Sequence, residues 1–193
     1  MGRSRGPPSI GRRLLYHRPS CREEWREQLA QRGGTLPQLH GKCAMKYQLK
    51  SISPDALPRA LAKAERYRLL NEPYEAESIC LDALAIEPDN QEVLRLLLLT
   101  LTDQFGSTGH AGAVAGAEQI IARLHDEYDR FYYAGIIYER QAHAKIVEGG
   151  RPFELLRHAM TSFERAEAIR PPGNDDPLLR WNTCARIMSR KLA

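Results

Sequence analysis

Residues 67–88 read YRLLNEPYEAESICLDALAIEP, and this stretch decides the fold. Pro73 marks the start of a helix, since proline is tolerated in a first helical turn but not in a helix interior. Four residues around it have the sizes and spacings of a helix crossing: Tyr67, Ala76, Cys80 and Ala83. The small residues among them let two helices approach closely, the aromatic Tyr67 fills the space beside the crossing, and Pro88 stops the second helix. The stretch therefore predicts a helical hairpin.

Two further helical hairpins are predicted along the chain. Residues 131–171 repeat the pattern more loosely, as Phe131, Gly135, Tyr138, Ala159, Phe163, Ala166 and Pro171. Between the two copies the helical periodicity is kept by aliphatic residues, Leu94, Leu97, Leu98, Leu101, Ala117 and Ile121. No window alternates between apolar and polar residues as a strand would. We therefore predict an all-α protein with three antiparallel helix pairs and a C-terminal capping helix.

Helix boundaries follow from prolines, glycines and capping residues. They predict a first helix that begins at Pro54 or at Pro58 and runs to about 70, followed by helices at about 73–86, 93–104, 113–125, 127–147, 152–169 and 177–189. Asp89 and Glu92 are spaced as a capping box for the third helix. The last helix has an apolar side, expected to cover the last pair, and a basic side, expected to face water. These two sides are Leu178, Leu179, Trp181 and Ile187, and Arg180, Arg186, Arg190 and Lys191.

Charge divides the chain into a basic N-terminal extension, residues 1–44, and a helical domain, residues 45–193. The extension holds nine Lys or Arg and three Glu, for a net charge of +6, whereas the remainder is at −2. Its Arg, Gly and Pro content cannot bury enough apolar surface to offset chain entropy, so we expect disorder there. Composition changes at Met45, which raises the hypothesis that translation starts at that residue. The basic pI of about 8.9 thus describes the extension.

Bulk features limit the class of protein. No segment approaches the roughly 20 apolar residues that cross a bilayer, and the N-terminal residues lack the apolar core of a signal peptide. The cysteines are too few and too scattered for a disulfide framework: Cys21, Cys43, Cys80 and Cys184. We therefore expect a cytoplasmic protein without a cofactor.

The predicted hairpins resemble the tetratricopeptide repeat (TPR), a helix pair of about 34 residues. The first pair matches the repeat pattern at Ala64, Tyr67, Ala76, Ala83 and Pro88. It departs from the pattern at Ala60, Lys63 and Cys80, where Trp, Leu and an aromatic residue are usual. The third pair, residues 131–171, fits better in residue type but has about twelve extra residues between its helices. The resemblance implies a right-handed α-α superhelix; an irregular helical bundle is the alternative.

What the resemblance implies about function is a concave groove, lined by the first helix of each pair, that binds a peptide or protein segment. Carried over to this chain, the groove residues are Leu61, Glu65, Arg68, Leu69, Arg95, Leu99, Thr102, Asp103, Tyr132, Ile136, Glu139 and Arg140. Arg and Tyr are enriched at interface hot spots. Leu61 and Glu65 replace the Lys and Asn with which the best-known family members grip a terminal carboxylate, so that specificity is not transferred. The expected function is a non-catalytic adaptor.

Two candidate ligand sites are weaker. One is a possible tetrahedral zinc set, His17, Cys21, His40 and Cys43. Its basic, Pro-containing flanks favour an interpretation as scattered residues of the extension. The other is residues 106–112, GSTGHAG, which precede a helix as an anion-binding loop would. They lack the Lys and the preceding strand of a phosphate loop, so we interpret them as a flexible connection.

Nucleic-acid binding and catalysis are the alternatives to the adaptor. In the extension, basic and aromatic side chains could contact phosphates and bases: Arg3, Arg5, Arg12, Arg13, Arg18, Tyr16 and Trp25. The later helices carry six acid or base groups, His125, Glu127, Asp129, Glu139, His143 and His158. Nothing marks a nucleophile with its base, and the acids at 126–129 complement the dipole of the fifth helix. A solvated extension and a non-catalytic domain are the preferred interpretations.

Overall fold

The computed structural model describes residues 48–106 and 110–192, which contain seven α-helices and no strand. The helices are α1 (Leu57–Leu69), α2 (Pro73–Ile86), α3 (Gln91–Asp103), α4 (His110–Ile121), α5 (Glu127–Val147), α6 (Phe153–Ala168) and α7 (Asp176–Leu192). A short 3-10 turn, Pro54–Ala56, precedes α1. The prediction of an all-α protein is confirmed. No helix in the described ranges has the length and apolar character needed to span a membrane. The predicted zinc ligands and basic tail residues lie outside these ranges.

Three predicted helix ends were wrong. Helix α4 begins at His110, so residues 110–112, predicted as part of a flexible connection, are helical. Asn90, and not Asp89, caps α3, because its Oδ1 accepts hydrogen bonds from the amides of Glu92 and Val93, each at 3.1 Å. Helix α4 ends at Ile121, four residues before the predicted end. It ends there in tight turns, in which the amides of Arg123 and Leu124 donate hydrogen bonds to the carbonyls of Ile120 and Ile121. The start of α5 is as predicted, with Asp126 accepting a 2.9 Å hydrogen bond from the Tyr128 amide.

Packing follows chain order. Each helix contacts the next one along the chain, and α3 also contacts both α1 and α5. The first helices of the three predicted pairs are therefore neighbours. The turns between pairs are joined too, since the His125 amide donates to Gln91 Oε1 at 3.0 Å, and Asn174 Nδ2 donates to Tyr128 Oη at 2.8 Å.

The buried side chains form two clusters along this helix array rather than one centre. The first cluster joins α1 to α4 and includes Ile137 of α5, and the second joins α5 to α7 around Phe163. Tyr133 packs against both clusters and links them. Two linked clusters follow from packing that takes place mostly between helices adjacent in the chain.

The predicted helix-crossing residues lie where the helices meet. Six of them are fully buried or almost so: Ala64, Ala76, Ala83, Ala159, Phe163 and Ala166. Tyr67 and Tyr138 are partly buried against the two clusters. Gly135 lets α5 approach α6 so closely that an added Cβ would lie 2.5 Å from Phe163 Cε1. Pro88 and Pro171 are exposed in the turns that follow α2 and α6.

Helix α7 packs against α6 and covers the last pair with Trp181 and Ile187, as predicted. Two of its side chains are not where the sequence placed them. Leu179, assigned to the apolar side, is 62% exposed. Arg180, assigned to the water-facing side, is partly buried because it pairs with Glu139 of α5.

Candidate functional site

A cleft of about 460 Å³ lies between α1 and α3, and we call it the α1–α3 cleft. Helix α1 supplies Leu57, Pro58, Leu61, Ala62, Glu65 and Arg68. Helix α3 and its cap supply Asn90, Glu92, Arg95, Leu96 and Leu99. The cleft is therefore formed by the first helices of the first two predicted pairs.

The lining of the α1–α3 cleft is apolar at depth and charged at its edge. Leu57 is buried, and the other three leucines are half-buried. Glu65 and Glu92 are exposed, on α1 and α3 respectively. Clefts that combine an apolar surface with a few charged groups are typical binding sites, because the apolar area gives affinity and the charges give orientation.

Ion pairs connect the first helices across the array. Arg68 Nε of α1 lies 2.6 Å from Asp103 Oδ2 of α3, and Arg140 Nη2 of α5 lies 3.7 Å from Asp103 Oδ1. The Asp103 side chain is only 17% exposed. One carboxylate therefore serves two arginines, and joins three helices that are not adjacent in the chain.

A second ion pair joins α3 to α5. Arg95 Nη1 donates to Asp129 Oδ2 at 2.8 Å, and the Asp129 side chain is 13% exposed. Tyr133 lies nearby, and burial together with the Asp129 carboxylate raises the pKa of its hydroxyl to about 12. Arg95 acts in the opposite direction on that pKa. The positive charge of Arg95 is thus committed to a carboxylate inside the protein.

A third ion pair joins α5 to α7. Glu139 is 3% exposed, and its Oε2 accepts a 3.0 Å hydrogen bond from Arg180 Nη1. His143 Nε2 lies 4.0 Å from the other carboxylate oxygen. Burial raises the pKa of the neighbouring Tyr132 hydroxyl, whereas Arg180 lowers it. Glu139 therefore holds helices together and does not face a partner.

Aromatic rings fill the space beside these pairs on α5. Tyr132 stacks on Tyr128 with ring centroids 5.6 Å apart, and meets Tyr133 edge to face at 5.4 Å. Its ring also lies 6.0 Å from that of Phe163. Contacts on three sides fix Tyr132 as part of the packing between α5 and α6.

The predicted groove residues fall into three groups. Five line the α1–α3 cleft: Leu61, Glu65, Arg68, Arg95 and Leu99. Six lie in or beside the interhelical packing and ion pairs: Thr102, Asp103, Tyr132, Ile136, Glu139 and Arg140. Leu69 is 80% exposed and does not line the cleft.

Sequence reasoning missed the partners of these charged residues. Asp129 and Arg180 were not assigned to the groove, yet each pairs with a residue that was. The signal was present as spacing: Arg68 and Asp103 are 35 positions apart, and Arg95 and Asp129 are 34 apart. Opposite charges 34 and 35 positions apart meet here because α1, α3 and α5 are neighbours in the fold.

Apart from Glu139 and His143, which lie 4.0 Å from each other, the acid and base groups of the later helices make separate contacts. His125 Nε2 pairs with Asp89 at 3.1 Å, Asp129 pairs with Arg95, and the His158 ring lies 5.3 Å from that of Tyr138. In the described part of the chain, no group of three or more His, Cys, Asp and Glu residues could hold a metal ion. These contacts give no arrangement of a nucleophile and its base.

Two cysteines are buried in the described ranges. Burial raises the pKa of the Cys80 and Cys184 thiols to about 12. A thiol with so high a pKa forms little of the thiolate that reacts as a nucleophile. Both residues therefore act as small packing groups.

Comparisons with known proteins give no relative, since no family model, no curated protein and no solved structure matches this chain. The TPR resemblance therefore stays a prediction. What the chain does has to be argued from the geometry of the α1–α3 cleft and the ion pairs behind it.

Proposed function

We propose that residues 45–193 form a right-handed, TPR-like superhelix that acts as a non-catalytic adaptor, binding a peptide or protein segment in the α1–α3 cleft. The observation that carries this proposal is the cleft itself, about 460 Å³, on the helices that the resemblance assigns to partner binding. Its half-buried leucines offer apolar area to an incoming side chain. Its exposed acids offer groups that can orient the segment.

The arrangement of charges behind the cleft supports this proposal. Arg68 and Arg95 each reach a carboxylate on the next first helix, so the walls of the cleft are fixed before a partner arrives. A preformed site avoids part of the ordering cost that binding otherwise incurs. Ion pairs at about one repeat length are also what a superhelix of stacked pairs predicts.

Peptide selection tests the proposal. A random peptide library is displayed on phage and selected against the full chain, and the best binder is titrated against two matched variants. Ala62→Trp places a large ring at an exposed position that lines the cleft. Ala85→Trp places the same ring at an exposed position of α2, outside the cleft. Circular dichroism checks that both variants are folded.

We expect Ala62→Trp to weaken binding at least about tenfold, or 1.4 kcal/mol, because the ring occupies the space of the peptide. We expect Ala85→Trp to leave the affinity unchanged. Equal affinities for the two variants would show that the binder uses another surface. Failure to select any binder would also count against the adaptor.

A further inference from the structure

We propose that the α1–α3 cleft selects segments that carry Lys or Arg beside aliphatic residues. This inference rests on the proposed adaptor function and names the chemistry of its partner. By residue type alone the net charge of the lining is zero, because it contains two arginines and two glutamates: Arg68, Arg95, Glu65 and Glu92. The ion pairs change that balance.

Each arginine of the lining forms an ion pair with an aspartate that lies outside the cleft. Arg68 pairs with Asp103 at 2.6 Å, and Arg95 pairs with Asp129 at 2.8 Å. The two aspartates are largely buried and do not line the cleft, so their carboxylates interact with the arginines and not with a ligand in the cleft. An arriving anion would have to compete with these carboxylates. The arginines therefore offer little net positive charge to a partner.

Glu65 and Glu92 are the exposed acids of the lining. Within residues 48–106 and 110–192, neither Glu65 nor Glu92 has an ion-pair partner within 4.0 Å, and both are exposed. The other basic residues of α1, Arg59, Lys63 and Arg66, do not line the cleft. Counted with Asp103, Asp129 and the Arg140 that shares Asp103, the cleft and its ion-pair partners carry one excess negative charge. Electrostatic complementarity then favours a cationic partner.

The apolar part of the lining suits a long basic side chain. Lys and Arg lay their aliphatic stems along apolar surface while the charged head stays at a polar edge. Leu61 and Leu99 are half-buried in the lining, and Glu65 and Glu92 stand exposed at its edge. An aliphatic neighbour in the partner would cover the remaining apolar area. The same charges disfavour phosphate groups and acidic segments at this cleft.

Three synthetic peptides test the preference. Each is an amphipathic helix of about 14 residues, or four turns. All three have leucines at the same positions, and all remaining positions are Lys in the first peptide, Gln in the second and Glu in the third. Fluorescence anisotropy gives their affinities for the full chain, for Glu65→Gln/Glu92→Gln, and for Glu75→Gln/Glu118→Gln. The last variant removes the same charge from exposed positions of α2 and α4, outside the cleft.

We expect the Lys peptide to bind most tightly and the Glu peptide most weakly. Glu65→Gln/Glu92→Gln should weaken the Lys peptide about threefold to tenfold, because each exposed ion pair contributes modestly. It should leave the Gln peptide unchanged. Raising the ionic strength from about 0.15 M to about 1 M should reduce the Lys preference, since salt screens exposed charges. Glu75→Gln/Glu118→Gln should match the wild type.

Two results would overturn the inference while leaving the adaptor in place. The first is tighter binding of the Glu peptide than of the Lys peptide, with Ala62→Trp still blocking it. The second is equal loss of the Lys peptide in both double variants, which would indicate attraction to the net charge of the chain. Binding of all three peptides that Ala62→Trp does not affect would instead overturn the adaptor function at this cleft.

Discussion

Replacing Gly135 by alanine tests whether helix packing outweighs helix propensity in the stability of this protein. Gly135 lies in the middle of α5, where it faces Phe163 of α6. A Cβ at this position would lie 2.5, 2.6 and 2.9 Å from three atoms of the Phe163 ring. Real Cβ atoms essentially never approach other heavy atoms below 3.0 Å. The ring is fully buried, so it cannot swing into solvent to make room.

Two effects of opposite sign decide the magnitude. Alanine in place of glycine stabilises a helix interior by up to about 1 kcal/mol. Forcing an extra methyl group into a filled core costs about 1–3 kcal/mol, because side chains and backbone must shift. We therefore expect Gly135→Ala to lower the free energy of unfolding by up to about 2 kcal/mol, despite its better helix propensity.

Gly112→Ala is the matched control, because a Cβ at this exposed position of α4 would meet no heavy atom within 4 Å. Urea unfolding of both variants isolates the packing effect, and Gly135→Ala should be less stable than Gly112→Ala by about 1–3 kcal/mol. Adding Phe163→Leu to Gly135→Ala should recover part of the loss. Equal stabilisation by the two alanines would refute the close approach of α5 to α6.

Three further predictions concern stability. Asp103→Asn should lower the free energy of unfolding by about 1–3 kcal/mol, because the ion pairs that it removes are largely buried. Glu154→Gln removes an exposed ion pair and should change that free energy by less than about 0.5 kcal/mol. Equal effects of the two variants in urea unfolding would contradict the bridging role of Asp103. Asn90→Ala should cost about 1 kcal/mol and Asp89→Ala clearly less, and thermal unfolding that ranks them the other way would restore the sequence-predicted cap. Burial raises the pKa of the two buried cysteines and of the tyrosines at 128 and 133 to about 12, from ordinary values of 9.0 for cysteine and 10.0 for tyrosine. Their protonated forms are favoured in the fold, so the urea midpoint should be flat below about pH 9 and fall between pH 9 and 12; a midpoint that rises over this window would contradict their burial.

Much of the fold was predictable because its determinants are local. Pro73 and Pro88 act within a few residues of their own positions, and the predicted helices agree with the structure except at a few ends. The cap of α3 was missed because Asp89 and Asn90 both suit the position, and only backbone geometry decides between them.

The charges of the candidate site were harder to predict. Arg68 and Arg95 were read as groups that face a partner, which is what a single helix face suggests. Whether an arginine faces a partner or a buried carboxylate depends on which residues of the next helix pair lie opposite it. Asp103 and Asp129 acquire that role only once α3 and α5 are placed. The available signal was that these opposite charges are 34 and 35 positions apart.

Amide chemical-shift mapping of the full chain with the Lys peptide tests the central claim most directly. We predict that the largest shifts on titration fall on the residues that line the α1–α3 cleft, above all Leu61, Glu65, Glu92 and Leu99. We predict that these shifts disappear in Ala62→Trp. Shifts confined to α2 and α4, or spread evenly over the helices, would contradict partner binding between α1 and α3.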